Sequence, residues 1–146
     1  MQIKYTKIPP SSCKRNREFY KNHVRKAFIM WCAYEGLLDY VFTKHEIEKA
    51  KRGILPKDCN VHHIVPLSGT EDPLIHEFNN LVIIHVKTHE HLNRDVFAPQ
   101  LRPLLKEPYG SSIIIDVPDY HYVDAVGIQS ERLKQFVLRR KNGKEY

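Results

Sequence analysis

The chain has 146 residues, 42% of them hydrophobic, and 23 Lys/Arg against 17 Asp/Glu give it a formal charge of +6. That length can bury one ordinary core without disulfide or metal staples, so a single domain over residues 1–146 is expected. No long apolar run and no charged-then-apolar leader occurs, so neither a membrane span nor a classical secretory signal is expected, and the cytoplasm is the expected compartment.

Cys13, Cys32 and Cys59 are widely spaced and form no C-x-x-C pair. Packed, reduced thiols fit that pattern better than a disulfide framework or a cysteine zinc site. The charge is unevenly placed. Residues 1–26 hold eight bases and one acid, residues 131–145 six bases and two acids, and residues 27–129 nine bases and fourteen acids. An acidic centre between two basic ends fits a polyanion clamp around a cation-requiring site. Solvated helix faces or tails are the competing explanation of the same charges.

In chain order, Pro9 and Pro10 predict an extended basic arm over the first fifteen residues. A helix is expected from about Asn16 to Tyr34, stopping near Gly36. Phe19, Val24, Ala27, Phe28, Trp31 and Cys32 would form its apolar face, with Trp31 in the core rather than in a base-stacking platform. Arg17, Lys21 and Arg25 recur every four residues and form a basic stripe suited to phosphates. Thr43 and Glu46 read as a capping box, opening a helix that ends at Gly53. Val61–Leu67 reads as a strand bent at Pro66, Leu81–Ile84 as a second strand, and Val86 to about Arg94 as a helix. Pro99, Pro103 and Pro108 then predict loop. Ser112–Val117 is strand-like from its β-branched residues, and an amphipathic helix with a basic tail closes the chain from Ser130.

The chemistry concentrates in residues 61–93. Successive side chains of a strand point to opposite faces, so His62 and His63 should have separate roles. Helical residues four apart share a face, so His89 and Asn93 can converge on one ion while His91 points away. His23, His45, His76 and His121 read as structural or surface histidines. His85 is a candidate neighbour of the site, one turn before His89.

This β-β-α layout resembles the HNH, or ββα-metal, endonuclease superfamily over residues 61–93, with a core expected over 59–94. The resemblance implies an α+β fold in which N-terminal helices and a C-terminal strand and helix flank that core. It makes His62 and His89 metal ligands and His63 a neutral general base oriented by a backbone carbonyl. Asn80, favoured over Asn79 because it directly precedes Leu81, would brace the loop between the strands. Asn93 falls where colicin-type members place a further histidine. An amide oxygen there leans the site toward harder ions, and the single divalent ion stays open among magnesium, manganese, nickel and zinc.

The implied activity is hydrolysis of double-stranded DNA to 5′-phosphate and 3′-hydroxyl ends. A mobile-element, restriction or toxin role fits equally. A toxin would be delivered into a target cell and would bring an immunity protein as partner, and two-strand cutting would call for a homodimer or sequential nicking. A noncatalytic, metal-stabilised nucleic-acid-binding module and an RNA-cleaving variant are the competing readings.

Overall fold

The N-terminal arm departs first from the sequence reading. The computed structural model describes residues 1–142, and in it Gln2–Thr6 is a strand, β1, paired antiparallel with Ser112–Asp116, β4. Ile3 faces Ile115 across the pair, and both are buried. Pro9 and Pro10, expected to forbid helix, instead open one. Pro10 is the first residue of α1 (Pro10–Phe19), a position where a missing N–H costs nothing because that donor has no intrahelical partner.

A wide π turn, Tyr20–Val24, joins α1 to α2 (Arg25–Tyr34), and Gly36 with φ +75° ends the run. The wide turn shifts the buried face. Val24, Phe28, Ile29, Cys32 and Ala33 are buried, whereas Phe19, 48% exposed, and Ala27, also exposed, fall outside the buried face although the sequence places both in it. Trp31 packs against Phe78 and Tyr122 at the core margin. Thr43 caps α3 (Lys44–Ala50) as a capping box: Thr43 Oγ1 accepts the Glu46 N–H at 3.2 Å, and Glu46 Oε1 accepts the Thr43 N–H at 3.0 Å. Gly53 follows with φ +82°, and an added Cβ there would run into the Lys26 side chain.

The centre of the molecule is the antiparallel hairpin of β2 (Cys59–His63) and β3 (Leu81–His85), with Cys59 opposite His85 and His63 opposite Leu81. β2 starts and stops earlier than the expected Val61–Leu67. All five β3 residues are buried, because the hairpin carries an apolar core on each face. Leu81, Ile83 and Cys59 join Phe28, Cys32 and Leu38 on one side. Val82 and Ile84 join Ile3, Ile115, Leu92 and Phe97 on the other. A short strand unseen in the sequence, Tyr122–Val123 (β5), adds parallel to β3, so the sheet order is β2-β3-β5 and β2 is an edge.

The helix after β3, α4 (Val86–His91), passes through a second π turn, Leu92–Phe97, into α5 (Ala98–Leu101). Pro99 predicts a break into loop, yet it sits in the first turn of α5, where the wide turn ahead accommodates it. The last helix, α6 (Ala125–Lys141), starts before Ser130 with Asp124 as its cap. Only Ile128 of α6 is buried, and Leu133, Phe136, Val137 and Leu138 are exposed. The expected amphipathic face is therefore not packed, and the chain beyond residue 142, which includes Lys144 of the basic tail, lies outside the described residues. The fold is α+β. Among the described residues no helix is long and apolar enough to cross a membrane. No disulfide forms: all three cysteines are free, with Cys32 and Cys59 buried.

Candidate metal centre and nucleic-acid groove

A groove of about 640 Å³ opens along β2. His62 and His63 enter it from the strand, His89 and Asn93 from α4 and the turn after it, and Arg17, Lys21 and Arg25 from the first helical run. Segments 17–25, 62–63 and 89–93, far apart in sequence, thus share one cavity.

His62 and His63 are 5% and 8% exposed, and they lie in different surroundings, as strand alternation requires. The His62 ring packs against His89, with ring centres 5.4 Å apart, and against Phe97. The His63 ring meets the edge of Tyr20 at 4.4 Å on the other face. Burial, then the neighbouring His89 and His63, pushes the His62 imidazole down to about 3. Burial, then His76 and His89, does the same to His63. Burial also lowers His89. All three rings are held neutral, the form that binds a metal or takes a proton. Tyr20 is pushed up to about 12, chiefly by burial.

The expected backbone carbonyl is missing at His63. Its Nε2 is buried without a hydrogen-bond partner, as are the Tyr20 hydroxyl and His76 Nδ1. Packing against Tyr20 orients the ring instead. His76, expected as a bystander, lies close enough to His63 to lower its pKa, and its ring sits tilted against Phe19.

Asn80 is buried, and its amide holds the loop between the strands. Its Oδ1 accepts the Val65 N–H at 2.8 Å, and its Nδ2 donates to the carbonyls of Val65 at 3.1 Å and Ile75 at 2.9 Å. It thereby stands in for a strand partner where β2 ends, while Asn79 is exposed. Two further residues position the same loop. Asn16 Nδ2 donates to the carbonyls of Leu67 and Thr70, each at 2.8 Å, and the Tyr5 hydroxyl bonds Ser68 Oγ at 2.8 Å. The basic helix and β1 are in this way tied to the groove's rim at Leu67 and Ser68.

The donor set can be tested against an ion. Two imidazoles sharing one ion at ~2.1 Å set their ring centres about 5 Å apart at a tetrahedral angle. The 5.4 Å between His62 and His89 fits that arrangement. Asn93 lines the same groove and is exposed. Among the described residues no three His, Cys, Asp or Glu side chains converge, so the protein would supply two nitrogens and at most an amide oxygen.

Sequence reasoning passes over Asn60. Its amide lies 3.3 Å from His89 Nδ1. With the amide oxygen turned to the ring it would accept the Nδ1 proton and leave Nε2 free for an ion. A signal exists in the spacing: Asn60 precedes His62 by two and shares its face of the strand.

His85 is 3% exposed and caps α4, its Nδ1 accepting the Lys87 N–H at 3.0 Å. Its Nε2 lies 3.7 Å from Asp58 Oδ2, so it holds the start of α4 rather than joining the groove. His91 points away, 60% exposed, and pairs with Asp95 at 2.8 Å. His23, His45 and His121 are exposed. Comparison with protein-family models, with curated proteins and with solved structures finds no match.

Proposed function

We propose that this chain is a divalent-metal-dependent endonuclease of the HNH, ββα-metal type acting on double-stranded DNA. One observation carries the reading: the two candidate ligands, the candidate base and the three basic residues share a single groove. His62 and His89 would hold the ion, with Asn93 or water completing its shell. Bound there, an ion would supply Lewis-acid stabilisation of the phosphorane-like charge and of the leaving oxygen.

The rest falls to the chain's own side chains. Arg17, Lys21 and Arg25 attract the phosphodiester and hold it over the edge of β2. His63, kept neutral by burial, takes a proton from the attacking water, a contribution of about 10²–10⁴-fold. Burial opposes charging that ring, and a phosphate anion beside it offsets the opposition. Asn80 fixes the loop that follows His63 through both backbone groups of Val65.

Supercoiled plasmid, incubated with the purified protein and magnesium, manganese, nickel or zinc, tests the proposal against EDTA and His63→Ala controls. Metal-dependent nicking or linearisation that vanishes in the variant, with fold and ion binding intact, is the expected result. Duplex binding without cleavage under any of these ions would move the reading to the noncatalytic metal-stabilised module, which the two-imidazole donor set also accommodates.

A further inference from the structure

A second groove of about 930 Å³ lies between α3, residues 54–58, the start of α4 and α6. Its carboxylates are Glu46 and Asp58, and both are occupied by one guanidinium. Arg132 bonds Asp58 at 2.8 and 3.1 Å and Glu46 at 3.0 and 2.9 Å. Lys49, Lys57 and Arg139 line the same groove. All three are exposed, and none has a carboxylate partner among the described residues. Lys87 adds a fourth cation, paired loosely with Glu90 at 3.7 Å. The groove is therefore electropositive, although all three of its lysines come from the acidic middle of the sequence. The fold makes it so by laying the basic last helix against them.

We propose that this groove is a second contact for duplex DNA, gripping phosphates away from the reaction centre. The inference rests on the nuclease reading for its choice of polyanion. Two features favour backbone over bases. The cations come from four separate segments, α3, the 54–58 loop, α4 and α6. The lining has no Phe, Tyr or Trp, so it offers no platform on which an unpaired base would stack. Lys87 lines this groove and Asn93 the candidate catalytic one, so the helical run from α4 into the turn after it borders both.

The test is equilibrium binding of a 30-base-pair duplex over a salt series, in the His63→Ala background so that no cutting intervenes. Lys49→Gln/Lys57→Gln/Arg139→Gln is compared with Lys4→Gln/Arg102→Gln/Lys106→Gln, an equal change of charge at exposed residues outside both grooves. Removing the cation from one phosphate lowers the slope of log K against log salt by about 0.9, so the first triple should lower it by about 2–3 and weaken binding more than tenfold. The control should change it by less than 1. Equal effects in the two triples, or an unchanged slope in the first, overturn the inference. So does displacement of duplex by poly-glutamate at equal charge concentration, which would make the groove an acidic-protein site. Plasmid cleavage by the wild type separates the two readings: weakened binding by the triple in a chain that never cuts would sink the nuclease and leave the groove, and the converse would sink the groove alone.

Discussion

Replacing Arg132 with methionine, which keeps the stem and removes the fork, should destabilise the fold by about 2–3 kcal/mol. The side chain makes four charge-assisted bonds to two carboxylates and lies over the Phe42 ring at 5.0 Å. Exposed pairs contribute about 0.2–1 kcal/mol, and breaking a buried one costs about 3–5 kcal/mol. With Arg132 27%, Glu46 22% and Asp58 35% exposed, the cost falls between those limits. For a chain of this size it corresponds to a loss of roughly 5–10 °C in Tm. The pH dependence has a definite sign. Burial raises both carboxyls, but bonds to Arg132 and its charge outweigh that and leave Glu46 and Asp58 below their ordinary values. Their contribution is complete above the ordinary carboxylate range and is lost as pH falls through the depressed folded values. Thermal unfolding of wild type and Arg132→Met from pH 7 to pH 3 should show a full gap at neutrality that closes below about pH 4. A gap under 1 kcal/mol at pH 7, or one that persists unchanged at pH 3, would refute the reasoning. Arg132→Lys, which cannot span both carboxylates, should recover only part of the loss.

Asn80→Ala removes three hydrogen bonds from a buried turn and should cost about 3 kcal/mol in urea unfolding, whereas Asn79→Ala, at an exposed position, should stay within about 0.5 kcal/mol. His89→Ala should weaken divalent-ion affinity by at least tenfold in calorimetric titration and remove metal-induced thermal stabilisation; equal affinity in both proteins would take His89 out of the ligand set. Asn60→Ala should lower ion affinity by about 10–100-fold, as loss of a ligand's outer partner does, with little change in unfolding midpoint without metal. Neutralising Arg17, Lys21 and Arg25 together should lower the salt slope of duplex binding by about 2–3, and an unchanged slope would place the DNA elsewhere.

What is legible in the sequence is local. Thr43 and Glu46 announce their cap because both bonds close within four residues, and Ser112–Asp116 announces a strand through three consecutive isoleucines. The spacing of His62, His63, Asn80 and His89 carries over into a hairpin and helix because alternation and helical period are properties of the chain itself. What the sequence hides depends on partners distant along it. β1 reads as an arm until Ser112–Asp116 arrives to pair with it, and Tyr122–Val123 is too short to signal a strand without the outer edge of β3. Pro10 and Pro99 read as breakers, yet the rule against proline applies to helix interiors and not to first turns. Counting charge by segment hides the second groove, since the Arg132 that neutralises Asp58 stands 74 residues away.

The adjacency of His62 and His63 looks at first like an obstacle, since alternation sends the two rings to opposite faces of the sheet. In a central strand they would be shut into separate cores. Here the sheet order β2-β3-β5 leaves β2 at the edge, and β5 occupies the far side of β3, which keeps it there. Beyond an edge the two faces meet. A ring from each face can then lean over the same unpaired border, one against Phe97 and His89, the other against Tyr20. Neutral rings on either side of a strand edge, with cations from the first helical run lining the same groove, give the proposed ligand and the proposed base separate positions at one opening. The same geometry explains why Asn80 matters more than its size suggests. β2 stops at His63 because the chain must turn away to open the groove, and the Asn80 amide takes over the backbone groups of Val65 that a longer hairpin would have paired.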